Sequence, residues 1–321
     1  MKNARLKSAF RSAVAAAAVV LLSCFHVSAC GSLPGKAAVE DKVVEVFNEP
    51  PEYRPMANGP TTTHRRTMHI GGHEREYLVS TPTDVHALDG LPLIMVFHGY
   101  RMTMDQMRAT TNFDSAHAVV VYMQGVNTSW APAPYATTTG EEDLAFFDAV
   151  REQMLRDYPV NPARVFAAGH SNGGGFVAYA ACHRPHHLTG IATVSAAYYE
   201  KVFEGCAPVP MKQIDFHGTA DPVIDYEGGW RYHTRYEPVQ RVLVEAEKRN
   251  HCHPQPIAEP FERPGQKLTW QHCDAPLEHY RLEGSRHVWP GGLIDIGPGA
   301  LTSKNFATKT ILDFFRIPRR N

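Results

Sequence analysis

Gly169-His170-Ser171-Asn172-Gly173 sets a serine between glycines, where the strand-like run RVFAA gives way to a helix-like run ending near Cys182. On such a corner the hydroxyl projects above a sheet, and flanking glycines let strand and helix pass closely. The strain costs about 1–3 kcal/mol and is carried mostly where it serves a site. A serine hydroxyl is a weak nucleophile at neutral pH, so acyl transfer needs a histidine base and a carboxylate to orient it. Alone, the pentapeptide is also a chance product of a glycine-rich turn. Its partners must decide.

In a sheet carrying this corner, the chain order is serine, acid, histidine. Fifty residues on, IDFHGTADPVIDY ends a buried strand in a turn bearing Asp221, stiffened by Pro222. Asp225 lies farther from the strand end, and Asp215 lies inside the strand; both are weaker candidates, and the bland role for Asp221 is a turn cap. Late in the chain, YRLEGSRHVWPGG repeats the pattern of strand, glycine loop and His287. The chain has 18 histidines, so His287 is singled out by placement alone; His279 sits within its strand. Trp289 is expected to pack that loop, with contact to substrate the minor alternative. Oxyanion donors are expected from the N–H of Asn172 and, in the loop VFHGYRM, from the N–H of Tyr100 before that of Arg101. His98 is expected to shape this loop rather than to transfer protons.

These residues need a scaffold that brings strand ends together. Apolar runs at LPLIMVFHG, AVVVYMQG, RVFAAGHS, GIATVSAA and MKQIDFHG, with EREYLVSTP before and LEHYRLEG after, read as strands. Between them, helix patterns cover 105–116, 141–158, 172–182, 237–249 and 301–315. Alternation of this kind predicts an α/β fold with a mostly parallel sheet, helices on both faces and one catalytic domain. Sites in such sheets lie at the carboxyl ends of the strands.

The 321 residues are 43% hydrophobic and 20% charged, as for a globular chain with a real core, and the net charge of −1 offers no attraction to nucleic acid. Residues 1–29 have the cationic, apolar, small-residue order of an export signal, with an apolar run too short to span a bilayer. Cleavage after Ala29 and lipidation of Cys30 in the lipobox-like VSAC both fit; the cysteine at that position favours lipidation, and LLSC ending at Cys24 is a weaker match. A membrane association is expected only through such an anchor. Residues 30–63 read as a tether and 64–318 as the domain. The mature cysteines Cys182, Cys206, Cys252 and Cys273 read as disulfides with three connectivities open. The adjacent ligands of His251-Cys252-His253 lack zinc-site spacing, so no metal is expected.

FHGY, GHSNGGG, HGTADPVIDY, the four cysteines and GSRHVWPGG together resemble the secreted polyhydroxybutyrate depolymerase / feruloyl esterase family of α/β-hydrolases, over roughly 65–315. The resemblance implies an ester hydrolase without cofactor, with Ser171 as nucleophile, Asp221 as acid, His287 as base and the N–H groups of Tyr100 and Asn172 as oxyanion donors. It also implies the disulfides Cys182–Cys206 and Cys252–Cys273. The chain departs from the family at His170, where a hydrophobic residue is common, and at Tyr100, where many members have cysteine. Polymer-degrading members add a binding domain, and none follows Asn321, so a soluble or cell-wall-linked ester is expected, acted on by a monomer. A serine peptidase of the same fold and a non-catalytic ligand-binding lipoprotein are the alternatives.

Overall fold

The computed structural model describes residues 61–261, 265–296, 299–301 and 303–320. The export signal, Cys24, Cys30 and nearly all of the tether lie outside the described residues.

Its strands are β1 (Thr61–Ile70), β2 (His73–Pro82), β3 (Leu91–Phe97), β4 (Val119–Met123), β5 (Val160–His170), β6 (Gly190–Val194), β7 (Lys212–Gly218), β8 (Gly229–Arg231), β9 (Thr234–Tyr236), β10 (Ile257–Phe261), β11 (Gly265–Thr269) and β12 (Leu277–Leu282). The helices are α1 (Met104–Thr111), α2 (Gly140–Asp157), α3 (Asn172–His183), α4 (Val239–Arg249) and α5 (Phe306–Phe314). A ten-stranded sheet runs β1-β2-β4-β3-β5-β6-β7-β12-β11-β10, and β8-β9 form a separate hairpin. From β4 to β12 neighbouring strands are parallel; β1-β2 and β10-β11 extend the two ends antiparallel. The α/β-hydrolase fold expected from the sequence is the fold observed.

Both faces of the sheet are covered, which is why central strands such as β3 and β4 are apolar on both faces. Along β3, Leu93, Met95 and Phe97 pack with Phe146, Phe147 and Val150 of α2. Ile94 and Val96 point the other way, toward Met104 and Met107 of α1 and Ile311 and Leu312 of α5. Side chains that alternate between two helix layers admit a polar residue only where it finds a buried partner, as Asp215 of β7 does in His279 of β12.

Local chemistry sets the helix ends. Thr103 with Gln106 and Thr139 with Glu142 form reciprocal capping boxes, starting α1 and α2 one residue before the sequence-based bounds. Asn112 takes a left-handed conformation and stops α1 short of the expected Ala116. Helix α5 begins only at Phe306, after left-handed Asn305, rather than at Leu301. Strand β1 begins at Thr61, within the stretch read as tether.

Disulfides Cys182–Cys206 and Cys252–Cys273 fasten the last turn of α3 to the segment before β7 and the chain after α4 to the turn before β12. Each closes a loop of 24 or 21 residues, worth about 3 kcal/mol in the chain-entropy account. The bonds fit an oxidising compartment.

Candidate active site

Ser171 ends β5 and caps α3 with φ 54° and ψ −118°, a conformation that a non-glycine residue adopts only when its surroundings impose it. Its N–H donates to Val194 at 2.9 Å, and its carbonyl accepts from Gly175 and Ala197. The flanking glycines have steric reasons. A Cβ on Gly169 would strike the Gly173 carbonyl, and one on Gly173 would strike the carbonyls of Phe97 and His98. Strand β5, helix α3 and the loop after β3 therefore meet at backbone distance.

His287 follows β12 and faces the serine. Its Nε2 lies 2.8 Å from Ser171 Oγ, and its Nδ1 lies 2.7 Å from Asp221 Oδ2. In this arrangement Nδ1–H donates to the carboxylate and Nε2 accepts from the hydroxyl. Asp221, just past β7, is held from behind: its Oδ1 accepts from the N–H groups of Val223 and Ile224 at 2.8 and 2.9 Å. Burial pushes the Asp221 carboxyl up, but the hydrogen bond and charge of His287, with His217 and the Ile224 N–H, outweigh it and hold the acid below its ordinary range. His217 itself donates through Nε2 to the Ile224 carbonyl at 2.8 Å, bracing the turn that carries Asp221.

The rival acids are engaged elsewhere. Asp225 caps its own turn by accepting from the Glu227 N–H at 2.9 Å. Asp215 is buried and pairs with His279 Nδ1 at 2.8 Å, while also accepting from Tyr198 and Thr193. Thus His279 belongs to a second Asp–His pair, inside the core.

The loop after β3 approaches closely: a Cβ on Gly99 would lie 3.3 Å from the Cβ of Ser171. Arg101 N–H donates to the Thr128 carbonyl at 3.0 Å, which removes it as an oxyanion donor. The N–H of Tyr100 meets no acceptor among the described residues, and Asn172, first in α3, has no carbonyl one turn back. His98 shapes the loop. Its Nδ1–H donates to the Gly99 carbonyl at 2.8 Å and its Nε2 accepts from the Gly125 N–H at 2.9 Å. Trp289 is fully buried, with its indole N–H on Thr308 at 3.0 Å, so it packs the His287 loop and reaches no substrate.

Sequence reasoning missed the brace on the other side. The Asn172 side chain bonds both backbone groups of Trp130, at 2.8 and 2.9 Å. Asp143, ion-paired with buried Arg75 at 2.9 Å, takes the N–H of Ala131 and the hydroxyl of Thr138. These contacts fix the segment between β4 and α2 and bring Tyr135 against Tyr100, ring centroids 4.0 Å apart. Among the described residues, no group of three or more His, Cys, Asp or Glu is placed to hold a metal ion.

No family model matches the chain. Over 311 residues it is 26% identical to a putative esterase, NocK, of Nocardia uniformis, covering 88% of this chain and 90% of that one. It is 28% identical over 253 residues to a probable feruloyl esterase C of Aspergillus niger, covering 74% and 86% respectively. A putative dienelactone hydrolase from Klebsiella pneumoniae superimposes with a TM-score of 0.53 at 13% identity, over 80% of this chain and 99% of that one, which shows the shared fold. The chain is similar to feruloyl esterases and to other carboxylic ester hydrolases over most of its length.

This esterase carries a histidine before its serine, and burial governs its behaviour. The His170 ring lies 5.0 Å from that of His287, and neither of its nitrogens has a hydrogen-bond partner among the described residues. Burial first, then the neighbouring His287, holds His170 down at about 3. Burial likewise holds His98 at about 4, against a partial lift from the Gly99 carbonyl. Unfolding returns both to about 6.5, so below that pH the unfolded chain binds more protons. Stability is then complete above pH 6.5 and declines as pH falls toward 4. Replacing His170 by leucine removes one such group and forfeits no hydrogen bond. His170→Leu is expected to raise stability at pH 5 by about 2 kcal/mol and to flatten the decline. Urea midpoints measured from pH 4.5 to 7.5 check this; an unchanged slope would show that His170 is protonated in the folded state.

Proposed function

We propose that this esterase cleaves carboxylic esters through an acyl-enzyme on Ser171, with His287 as general base and then acid, and Asp221 as its orienting carboxylate. One observation carries the reading: the unbroken line from Asp221 through His287 to Ser171, with contacts of 2.7 and 2.8 Å. As the Ser171 oxygen attacks the ester carbonyl, its proton passes to His287 Nε2, and Asp221 stabilises the imidazolium. The tetrahedral oxyanion accepts from the N–H groups of Tyr100 and Asn172, aided by the amino terminus of α3. His287 then protonates the departing alcohol. Water, activated by the same imidazole, releases the acid.

Kinship with feruloyl esterases supports aromatic acyl esters as substrates, and the disulfides support an exported protein, the lipid anchor at Cys30 being one form of export. A serine peptidase would use the same residues, so esters and matched amides must be compared. A pure binding protein has no need of the serine–histidine contact. The test is a covalent one. Diethyl 4-nitrophenyl phosphate should release one equivalent of nitrophenol and leave a diethylphosphoryl group on the peptide containing Ser171. Modification elsewhere, or none, rejects the nucleophile.

A further inference from the structure

On the loop whose Gly99 packs against Ser171, Tyr100 joins Tyr135 and Tyr232 in one ring cluster, with Tyr135–Tyr232 centroids 4.8 Å apart and Tyr100–Tyr232 6.2 Å apart. Tyr100 belongs to the loop that touches the nucleophile, whereas Tyr232 sits at the tip of the β8-β9 hairpin and is 44% exposed. The two tip residues, Tyr232 and His233, have φ 52° and 58°. Hairpin turns of this hand normally take Asn or Gly there. Tyr232 is thus held in a left-handed conformation with its ring over the cluster, and strain of this kind gathers at ligand clamps.

Two guanidinium groups rest on the same cluster. Arg101 lies 5.2 Å from the Tyr100 ring centroid and Arg231 lies 5.4 Å from that of Tyr232. Neither forms an ion pair with a carboxylate among the described residues. Arg65, Arg66, Arg75, Arg108 and Arg184 each hold a carboxylate at 2.6–2.9 Å, and Arg151, Arg164 and Arg249 spend their guanidinium on backbone or amide oxygens, whereas Arg101 and Arg231 are laid on rings of the cluster. Arg101 is also fixed at its backbone, with φ 65° and its N–H on Thr128. A guanidinium laid on an aromatic ring can present its N–H edge to a planar anion; Arg231 spends one N–H on the Val223 carbonyl at 3.4 Å, which orients the group and leaves its other donors. The two arginines thus lie over two rings of one cluster, Tyr100 and Tyr232, with no carboxylate paired to either among the described residues.

We propose that the esterase selects substrates bearing a carboxylate on or near a ring, the ring lying on Tyr100, Tyr135 and Tyr232 and the carboxylate taken by Arg101 and Arg231. This rests on Ser171 being the nucleophile of an esterase, and it adds a charge requirement to that reading. Bidentate arginine–carboxylate contacts at a partly exposed site support roughly a tenfold preference.

Two matched pairs of esters test it: 4-carboxyphenyl acetate against 4-carbamoylphenyl acetate, and 4-nitrophenyl hemisuccinate against 4-nitrophenyl butyrate. The first pair puts the charge in the alcohol and the second in the acid. For each pair the kcat/KM ratio of charged to neutral ester is measured for the wild type and for the Arg101→Gln/Arg231→Gln double variant, which cancels intrinsic reactivity. The ratio is expected to fall about tenfold in the double variant for at least one pair, and the wild-type ratio is expected to fall in 0.5 M salt through screening. Ratios unchanged by the substitutions in both pairs, or equal losses on charged and neutral esters, overturn the assignment. A wild type that hydrolyses none of the four esters overturns the esterase reading beneath it as well.

Discussion

Ser171→Ala is expected to lower kcat for ester hydrolysis by about 10⁴–10⁶, while thermal unfolding stays close to wild type. The size of the loss follows from the proposed mechanism, in which Ser171 forms the acyl-enzyme and His287 without the hydroxyl has no proton to take. What survives is water attack assisted by the oxyanion donors. Stability should hold because alanine keeps the Cβ, and the corner is fixed by backbone contacts: the Ser171 N–H on Val194 and its carbonyl on Gly175 and Ala197. Among the described residues the hydroxyl's hydrogen-bond partner is His287. Hydrolysis of methyl ferulate and of 4-nitrophenyl acetate, with near-ultraviolet circular dichroism on the same samples, checks both halves. Turnover near the wild-type rate by a folded Ser171→Ala variant would move the chemistry to another residue.

Ser171, Asp221 and His287, which the structure brings together, could be anticipated from the sequence because each lies within five residues past a strand, β5, β7 and β12 respectively, and buried runs of that kind are conspicuous. Placement after the last such run was enough to separate His287 from the other histidines. The β8-β9 hairpin was illegible for a physical reason: its tip is Tyr232-His233, which lacks the glycine or asparagine that marks such turns. Strand β10 was hidden as well, since Ile257–Phe261 contains a proline and lies exposed at the sheet edge. The brace of Asn172 on Trp130 joins residues 42 positions apart, and no local pattern announces a side chain that bonds a distant backbone. The cluster of Tyr100, Tyr135 and Tyr232 depends on that brace and on the hairpin together. Its assembly is a tertiary property, invisible to periodicity.

The two Asp–His pairs offer a sharper separation of chemistry from stability. Asp221→Asn is expected to lower kcat by about 10⁴, since the amide can no longer fix the tautomer of His287 or stabilise its charged form. Diethyl 4-nitrophenyl phosphate should label Ser171 far more slowly in that variant. Asp215→Ala is expected to do something else. Asp215 is 1% exposed and accepts from His279, Tyr198 and Thr193 at 2.8, 2.6 and 2.7 Å; its removal strands the His279 N–H and one hydroxyl of the Tyr198–Thr193 pair, which bond each other at 2.9 Å. Breaking a buried pair of this type costs about 3–5 kcal/mol, a large fraction of a domain's stability. The fall should appear in the urea midpoint, with the labelling rate of the remaining folded protein nearly unchanged, because no Asp215 contact reaches Ser171 or His287. The pairs lie on adjacent strands, β7 and β12, with His279 aligned to Asp215 in register. Their difference is depth: within the strands the pair is buried against Tyr198 and Tyr226, whereas beyond the strand ends the same two residue types face the serine. If Asp215→Ala slowed labelling as much as Asp221→Asn while leaving the midpoint intact, the buried pair would have to be assigned to the chemistry, and depth in the sheet would no longer separate the two roles.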